Sequence, residues 1–250
     1  MKVTVDDLVQ VRSVLVCLED MTGFETIVDT LSKETLYYAT SNCINALAEI
    51  LGPEYTEKKL RSVGSSSRDS AGDFQIFSRK LLVGVMSEKY SITDQAMINK
   101  ENNLPFDLVF VNFGEKRFEN FSREDVGAYN LMVSAAYNFS RVMVLSDSHD
   151  YPFFVKKVKT NAEIIAANNY FPGDNGSNIA TDIKTRFQAA QKVISSAKML
   201  IASFPELDEN YLEDKFDLFV KSEILGKKTL QKNRISREAE IIGGMLGASV

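Results

Sequence analysis

Phe106-Asp107-Leu108-Val109-Phe110-Val111-Asn112-Phe113, followed some thirty residues later by Val142-Met143-Val144-Leu145, sets the fold class of this chain. Both are short apolar runs rich in β-branched and aromatic residues, the composition of a strand buried on both faces. Between them, Ser122 with Asp125 opens a helix that should run to about residue 139. Strand, helix, strand at this spacing predicts a βαβ unit, with parallel pairing and a right-handed crossover.

The middle of the chain, residues 74–173, is therefore expected to be a small α/β domain. Residues 74–86 read as β-rich, 91–100 as a short helix, and 153–158 as an edge strand after a Tyr151-Pro152 turn, with its lysines facing water. Thr160 and Glu163 predict a helix to about 169. The run Phe171-Pro172-Gly173-Asp174-Asn175-Gly176-Ser177 is a turn cluster that closes the domain.

Outside this domain the periodicity is helical. Thr4 and Asp7 resemble a helix start, and Val5, Leu8, Val9, Val11, Leu15 and Leu18 fall on one stripe that Gly23 ends. Ile27, Val28, Leu31, Leu36, Ala39, Cys43, Leu47 and Leu51 predict a second helical region over 24–51, stopped by Gly52-Pro53. Gly64-Ser65-Ser66-Ser67-Arg68-Asp69-Ser70-Ala71-Gly72-Asp73 reads as a linker. Ile179, Ile183, Phe187, Ala190, Ile194, Ala197, Ile201 and Phe204 trace a long stripe before Pro205, with further helices over 207–225 and 229–242. The expected fold class is α+β or α/β. It comprises a helical segment over 1–63, a linker over 64–73, a partly parallel β layer with helices over 74–173, and a helical bundle over 174–250.

The chain has 250 residues, of which 44% are hydrophobic and 25% charged, a globular composition able to bury a core without disulfides. Cys17 and Cys43 lack any CxxC spacing and read as two buried reduced thiols. The opening Met1-Lys2-Val3-Thr4-Val5-Asp6-Asp7 carries acids where a signal peptide needs an apolar run. No stretch approaches the roughly 18 apolar residues of a membrane span, so the expected setting is cytoplasmic, or a virion assembled there. A net charge of −5 argues against indiscriminate binding to phosphate backbones.

The strand of residues 142–145 runs into Ser146-Asp147-Ser148-His149-Asp150, where His149 is the single histidine of the chain. This Asp-x-His-Asp string resembles the opening motif of the calcineurin-type metallophosphoesterases, in which a strand delivers an Asp and a His to a two-metal centre. The resemblance implies metal-dependent phosphoester hydrolysis with Asp147, His149 and Asp150 as ligands, and Asp107 or Asp174 as further donors. It covers about ten residues. The family's GD, GNH[DE] and GHxH motifs are missing, with Gly173-Asp174-Asn175 as the nearest echo. Restriction-type nucleases offer another template, but Glu115-Lys116-Arg117 places Arg where their Glu-x-Lys needs Lys. Neither strand is followed by GxGxxG, and no GxSxG elbow accompanies the histidine.

The favoured expectation is a non-enzymatic structural or assembly protein packing against copies of itself or other subunits, in the manner of a phage or viral head-to-tail connector. It binds no cofactor on this reading. Its interaction residues would be the apolar Ile241, Ile242, Met245 and Leu246 and the basic Lys227, Lys228 and Lys232. The alternatives are the phosphoester hydrolase or nuclease, and a nucleic-acid-binding accessory factor using the same three lysines.

Overall fold

A computed structural model describes residues 8–63, 79–88, 91–100, 105–112, 123–168, 170 and 179–200. Contacts divide the chain into one unit of Met1–Pro205 and a second of Glu206–Val250. The second unit lies outside the described residues, and with it the helices expected beyond residue 205.

Five strands form one parallel sheet: β2 (Ser13–Cys17), β3 (Leu36–Ala39), β4 (Leu60–Ser62), β5 (Leu108–Val111) and β6 (Met143–Leu145). Their spatial order is β4-β3-β2-β5-β6, with Val14 opposite both Tyr37 and Leu108, and Val109 opposite Val144. The chain winds outward from β2 to β4, then returns to place β5 against the free side of β2 and winds outward again. This is the doubly wound α/β arrangement. The βαβ unit predicted from residues 106–145 is its second half, with α6 (Arg123–Tyr137) as the crossover. A separate antiparallel ribbon pairs β1 (Leu8–Gln10) with β7 (Ala180–Asp182).

Both faces of the sheet are covered. Val14, Val16, Tyr37, Ala39, Leu108, Phe110, Met143 and Leu145 form one core with α1 (Phe24–Thr30), α2 (Ile44–Leu51) and α7 (Tyr151–Asn168), which contribute Phe24, Ile27, Leu47, Phe154 and Val158. Phe110 sits at its centre, edge-on to Phe24 at 4.9 Å and to Tyr151 at 5.6 Å. The alternate residues Leu15, Tyr38, Val109, Val111 and Val144 are equally buried, while α6 and α8 (Ile183–Leu200) pack against β6. Burial on both sides explains why these strands show no alternation. Each fully buried large apolar side chain contributes roughly 1.5–3 kcal/mol.

Four expectations are corrected. Residues 8–23 of the stripe expected over 4–23 are no helix: residues 13–17 are the central strand, and only a run of consecutive apolar residues satisfies helices on both of its faces. The region 24–51 is α1, then β3, then α2, because Leu36-Tyr37-Tyr38-Ala39 finds partners on both edges. The helical segment expected over 1–63 thus supplies three of the five strands. Residues 153–158 are helical, since Pro152 occupies the first turn of α7, where a missing N–H costs nothing. Within the region expected to be β-rich, α4 (Arg79–Met86) is a helix, and the expected helix over 91–100 is present as α5 (Ile92–Lys100). The linker over 64–73 and the turn cluster over 171–177 lie outside the described residues.

Candidate functional site at the carboxyl ends of the strands

Because the five strands are parallel, the loops leaving β2, β3, β5 and β6 all rise from one edge of the sheet. Winding reverses between β2 and β5, and the carboxyl ends of those two strands are where doubly wound proteins open a crevice for ligands.

The loop after β2 is Leu18-Glu19-Asp20-Met21-Thr22-Gly23. Asp20 Oδ1 accepts from Thr22 N at 2.9 Å and from its hydroxyl at 2.6 Å, an Asx-turn, and these bonds hold the Asp20 carboxyl below the usual range. Gly23 follows at φ 75°, the left-handed conformation that starts α1. Across the switch point, Asn112 leaves β5 and bonds this loop with its whole amide. Its Oδ1 accepts from Glu19 N at 2.8 Å and Asp20 N at 3.1 Å, and its Nδ2 donates to Asp20 O at 2.8 Å. Thr40, Ser41 and Asn42 follow β3, with Ser41 and Asn42 exposed.

After β6, Asp147 caps the 3-10 turn Ser148–Asp150, its Oδ1 accepting from His149 N at 2.9 Å. The same oxygen lies 2.8 Å from His149 Nδ1. Burial opposes ionisation of Asp147, but these bonds and the charges of His149 and Lys192 outweigh it, so its carboxyl is held below the usual range. The His149 side chain is 90% exposed. In the neutral tautomer that donates from Nδ1 to Asp147, Nε2 is the acceptor. Asp150 turns instead to Lys192 on α8, forming an ion pair. Burial pushes the Tyr151 phenol up, and Asp20 and Asp147 add to the shift, which puts both carboxylates of the two loops within the field of one hydroxyl.

Asp147, His149 and Asp150 are therefore neighbours at a strand's carboxyl end, but they do not converge. Among the described residues no three His, Cys, Asp or Glu gather where a metal ion could bind. Asp107 stands at the opposite edge of the sheet, before β5, where it pairs with Arg141 at 2.9 Å. Asp174, residues 115–117 and the residues Lys227, Lys228, Lys232, Ile241, Ile242, Met245 and Leu246 lie outside the described residues. Cys43 donates to Val16 O at 3.1 Å, and burial pushes the Cys17 thiol up to about 12, so neither is prepared as a nucleophile. No helix among the described residues is long and apolar enough to cross a membrane.

Sequence reasoning missed Asn112, Asp20, Thr22 and Lys192. Asn112 carried a signal, being the polar residue that ends the apolar run of β5. Asp-x-Thr-Gly carried another, as a turn closing a strand. Lys192 carried none, because its partner lies 42 residues away.

No family model matches the sequence, and no curated protein matches it. The chain is similar in structure to a solved protein described as ForH, with a TM-score of 0.53 and 17% identity, over 78% of this chain and 96% of that one. That likeness supports the doubly wound fold alone.

Proposed function

We propose that the protein is a group-transfer enzyme that binds a positively charged nucleoside cofactor over the carboxyl ends of β2 and β5, with His149 as general base. The carrying observation is the Asp147–His149 pair on the same rim as the switch point, 2.8 Å apart, with the imidazole 90% exposed. A carboxylate on Nδ1 fixes the tautomer that leaves Nε2 able to take a proton.

The charge of the rim selects the cofactor. A dinucleotide needs a glycine-rich turn that lets backbone amides meet its phosphates, and the first loop offers Glu19 and Asp20 instead. Glu19, Asp20 and Asp147 together disfavour phosphate and favour a cation. S-adenosylmethionine combines a nucleoside with a positive charge, and when bound it supplies an electrophilic methyl group. The loop of Asp20 and Thr22, with Ser41 and Asn42 after β3, would hold its polar groups. His149 would receive the proton released by a hydroxyl acceptor, and Asp147 would compensate the resulting imidazolium. Metal-dependent phosphoester hydrolysis draws less support, since the carboxylates of this loop are already engaged by His149 and Lys192.

Calorimetric titration should give binding of S-adenosylmethionine and S-adenosylhomocysteine and none of NAD or ATP, with affinity falling about tenfold in Asp20→Asn. His149→Ala should keep that affinity and lower turnover by roughly 10²–10⁴. Absence of binding by either S-adenosyl compound would refute the proposal. The assembly role expected from residues 227–246 is a separate proposal for the unit Glu206–Val250. Native mass spectrometry of the full chain tests it, and a strictly monomeric species at micromolar concentration would remove it.

A further inference from the structure

A cavity of about 360 Å³ opens where β6 ends, between the first turn of α7 and the outer face of α8. Its volume is that of a small-molecule site. Leu145, Phe153 and Ala189 give it apolar walls, and Asp150, Lys192, Gln188 and Gln191 give it polar ones. The four residues from α8 fall at i, i+1, i+3 and i+4, so one helix face is turned to the space.

Two features of this lining bear on what it could hold. Phe153 is 41% exposed, with Lys157 Nζ 5.5 Å from its ring centroid, and the other large exposed apolar side chains among the described residues, Ile92 and Met97, lie on α5. The ion pair of Asp150 with Lys192 joins two residues that both line the space. An exposed ring beside a paired carboxylate and ammonium is a recognisable combination: an apolar surface next to one charge of each sign.

We propose that this cavity binds a free α-amino acid with a large apolar side chain. The ligand's ammonium takes the place of Lys192 on Asp150, and its carboxylate takes the place of Asp150 on Lys192. Both protein charges stay compensated in the exchange. A ligand with a single charge breaks the Asp150–Lys192 pair and replaces it with one ion pair, where an amino acid makes two, and the partner it leaves is returned to water. The apolar side chain lies against Phe153, Leu145 and Ala189, while the Gln188 and Gln191 amides supply further bonds. A phosphate or dicarboxylate is disfavoured, because Asp150 stands paired beside Lys192, the cation among the described lining residues.

Ligand-observed NMR and calorimetry on the full chain, with no S-adenosyl compound present, test this separately from the cofactor proposal. The probes are L-phenylalanine, L-leucine, phenethylamine and 3-phenylpropionate. Both amino acids should bind, with each single-charge analogue at least about tenfold weaker. Lys192→Gln should weaken L-phenylalanine about tenfold and abolish the discrimination against phenethylamine, since Asp150 is then free for an amine. Phe153→Ser should weaken both amino acids without changing the ratio between L-phenylalanine and its analogues. Phe153 and Lys192 are exposed, so the circular dichroism of both variants should match the parent. No binding of either amino acid at about 10 mM, or equal binding of all four probes, would overturn the assignment.

Discussion

The two edges of the five-stranded sheet hold similar chemical pairs under opposite conditions. At the amino edge, Asp107 is buried with Arg141, and Arg12 N, Ser13 N and the Ser13 hydroxyl also donate to its carboxylate at 2.9–3.1 Å. At the carboxyl edge, Asp147 holds His149 and Asp150 holds Lys192, with one partner of each pair open to water. Burial pushes the Asp107 carboxyl up, and Arg141 and the bonds from Arg12 and Ser13 pull it part of the way back. Burial likewise lowers Arg141, against the charge of Asp107. Both oxygens of the Asp107 carboxylate accept hydrogen bonds, so the pair welds strands β2, β5 and β6 at their origins. Residue type alone does not separate a fastener from a reactive group; solvent access and unspent hydrogen-bonding capacity do.

Breaking the amino-edge pair should have the largest effect. Asp107→Ala leaves Arg141 buried without its counter-ion and should cost about 3–5 kcal/mol in urea denaturation. Asp147→Ala, at a half-exposed position, should cost less than about 1 kcal/mol in the same measurement. Equal costs would erase the distinction between the edges.

The tether between the two loops of the switch point comes next. Asn112→Ala removes three hydrogen bonds and should cost about 1–3 kcal/mol. Hydrogen exchange should speed up at residues 19–20 while the amides of β2 and β5 stay protected. Unchanged exchange there would mean that Asn112 is not what holds the loop.

A smaller, pH-dependent effect sharpens the same point at α8. Asp182 caps that helix, accepting from Thr185 N at 2.9 Å and from the Thr185 hydroxyl at 2.7 Å, with Asn161 as a further donor. Burial raises its pKa, but the Thr185 and Asn161 bonds and the Arg186 charge lower it by more. Its stabilisation is therefore present above the unfolded aspartate value of about 3.9 and is lost as pH falls through the depressed folded value. The difference in unfolding free energy between the parent and Asp182→Asn should be of the order of 1 kcal/mol at pH 7. It should shrink steadily below about pH 4. A difference independent of pH would exclude the charge as its source.

The half of the fold legible in the sequence was the half whose strands lie far apart and are separated by an unambiguous helix. β5 and β6 announced themselves as apolar runs, and the helical span of α6 between them fixed their parallel pairing. The first half was obscured by compression. Only five residues separate α1 from β3, and four separate β3 from α2, so apolar residues of three elements merged into one apparent helical region over 24–51, while β2 fell into the stripe before it. Short buried strands and buried helices share one apolar signal, and the choice between them is made by neighbours far along the chain. Tyr37 and Tyr38 became strand residues because β2 and β4 flank them. At the site, Asp147 and His149 could be placed after a strand, but the distinction between mutual bonding and metal ligation lay in side-chain directions. The neighbouring cavity depended on α8 crossing a loop 42 residues upstream.

The ribbon of β1 with β7 has a consequence in time. Leu8 pairs with Asp182, so one of the first strands to be synthesised waits for about 170 further residues before its partner exists. The parallel sheet, whose last strand ends at Leu145, can assemble earlier. On a ribosome adding roughly 5–20 residues per second, that wait lasts on the order of ten seconds or more. A chain stopped before Ala180 would carry an unpaired β1 edge, the kind of surface that recruits chaperones or other nascent chains.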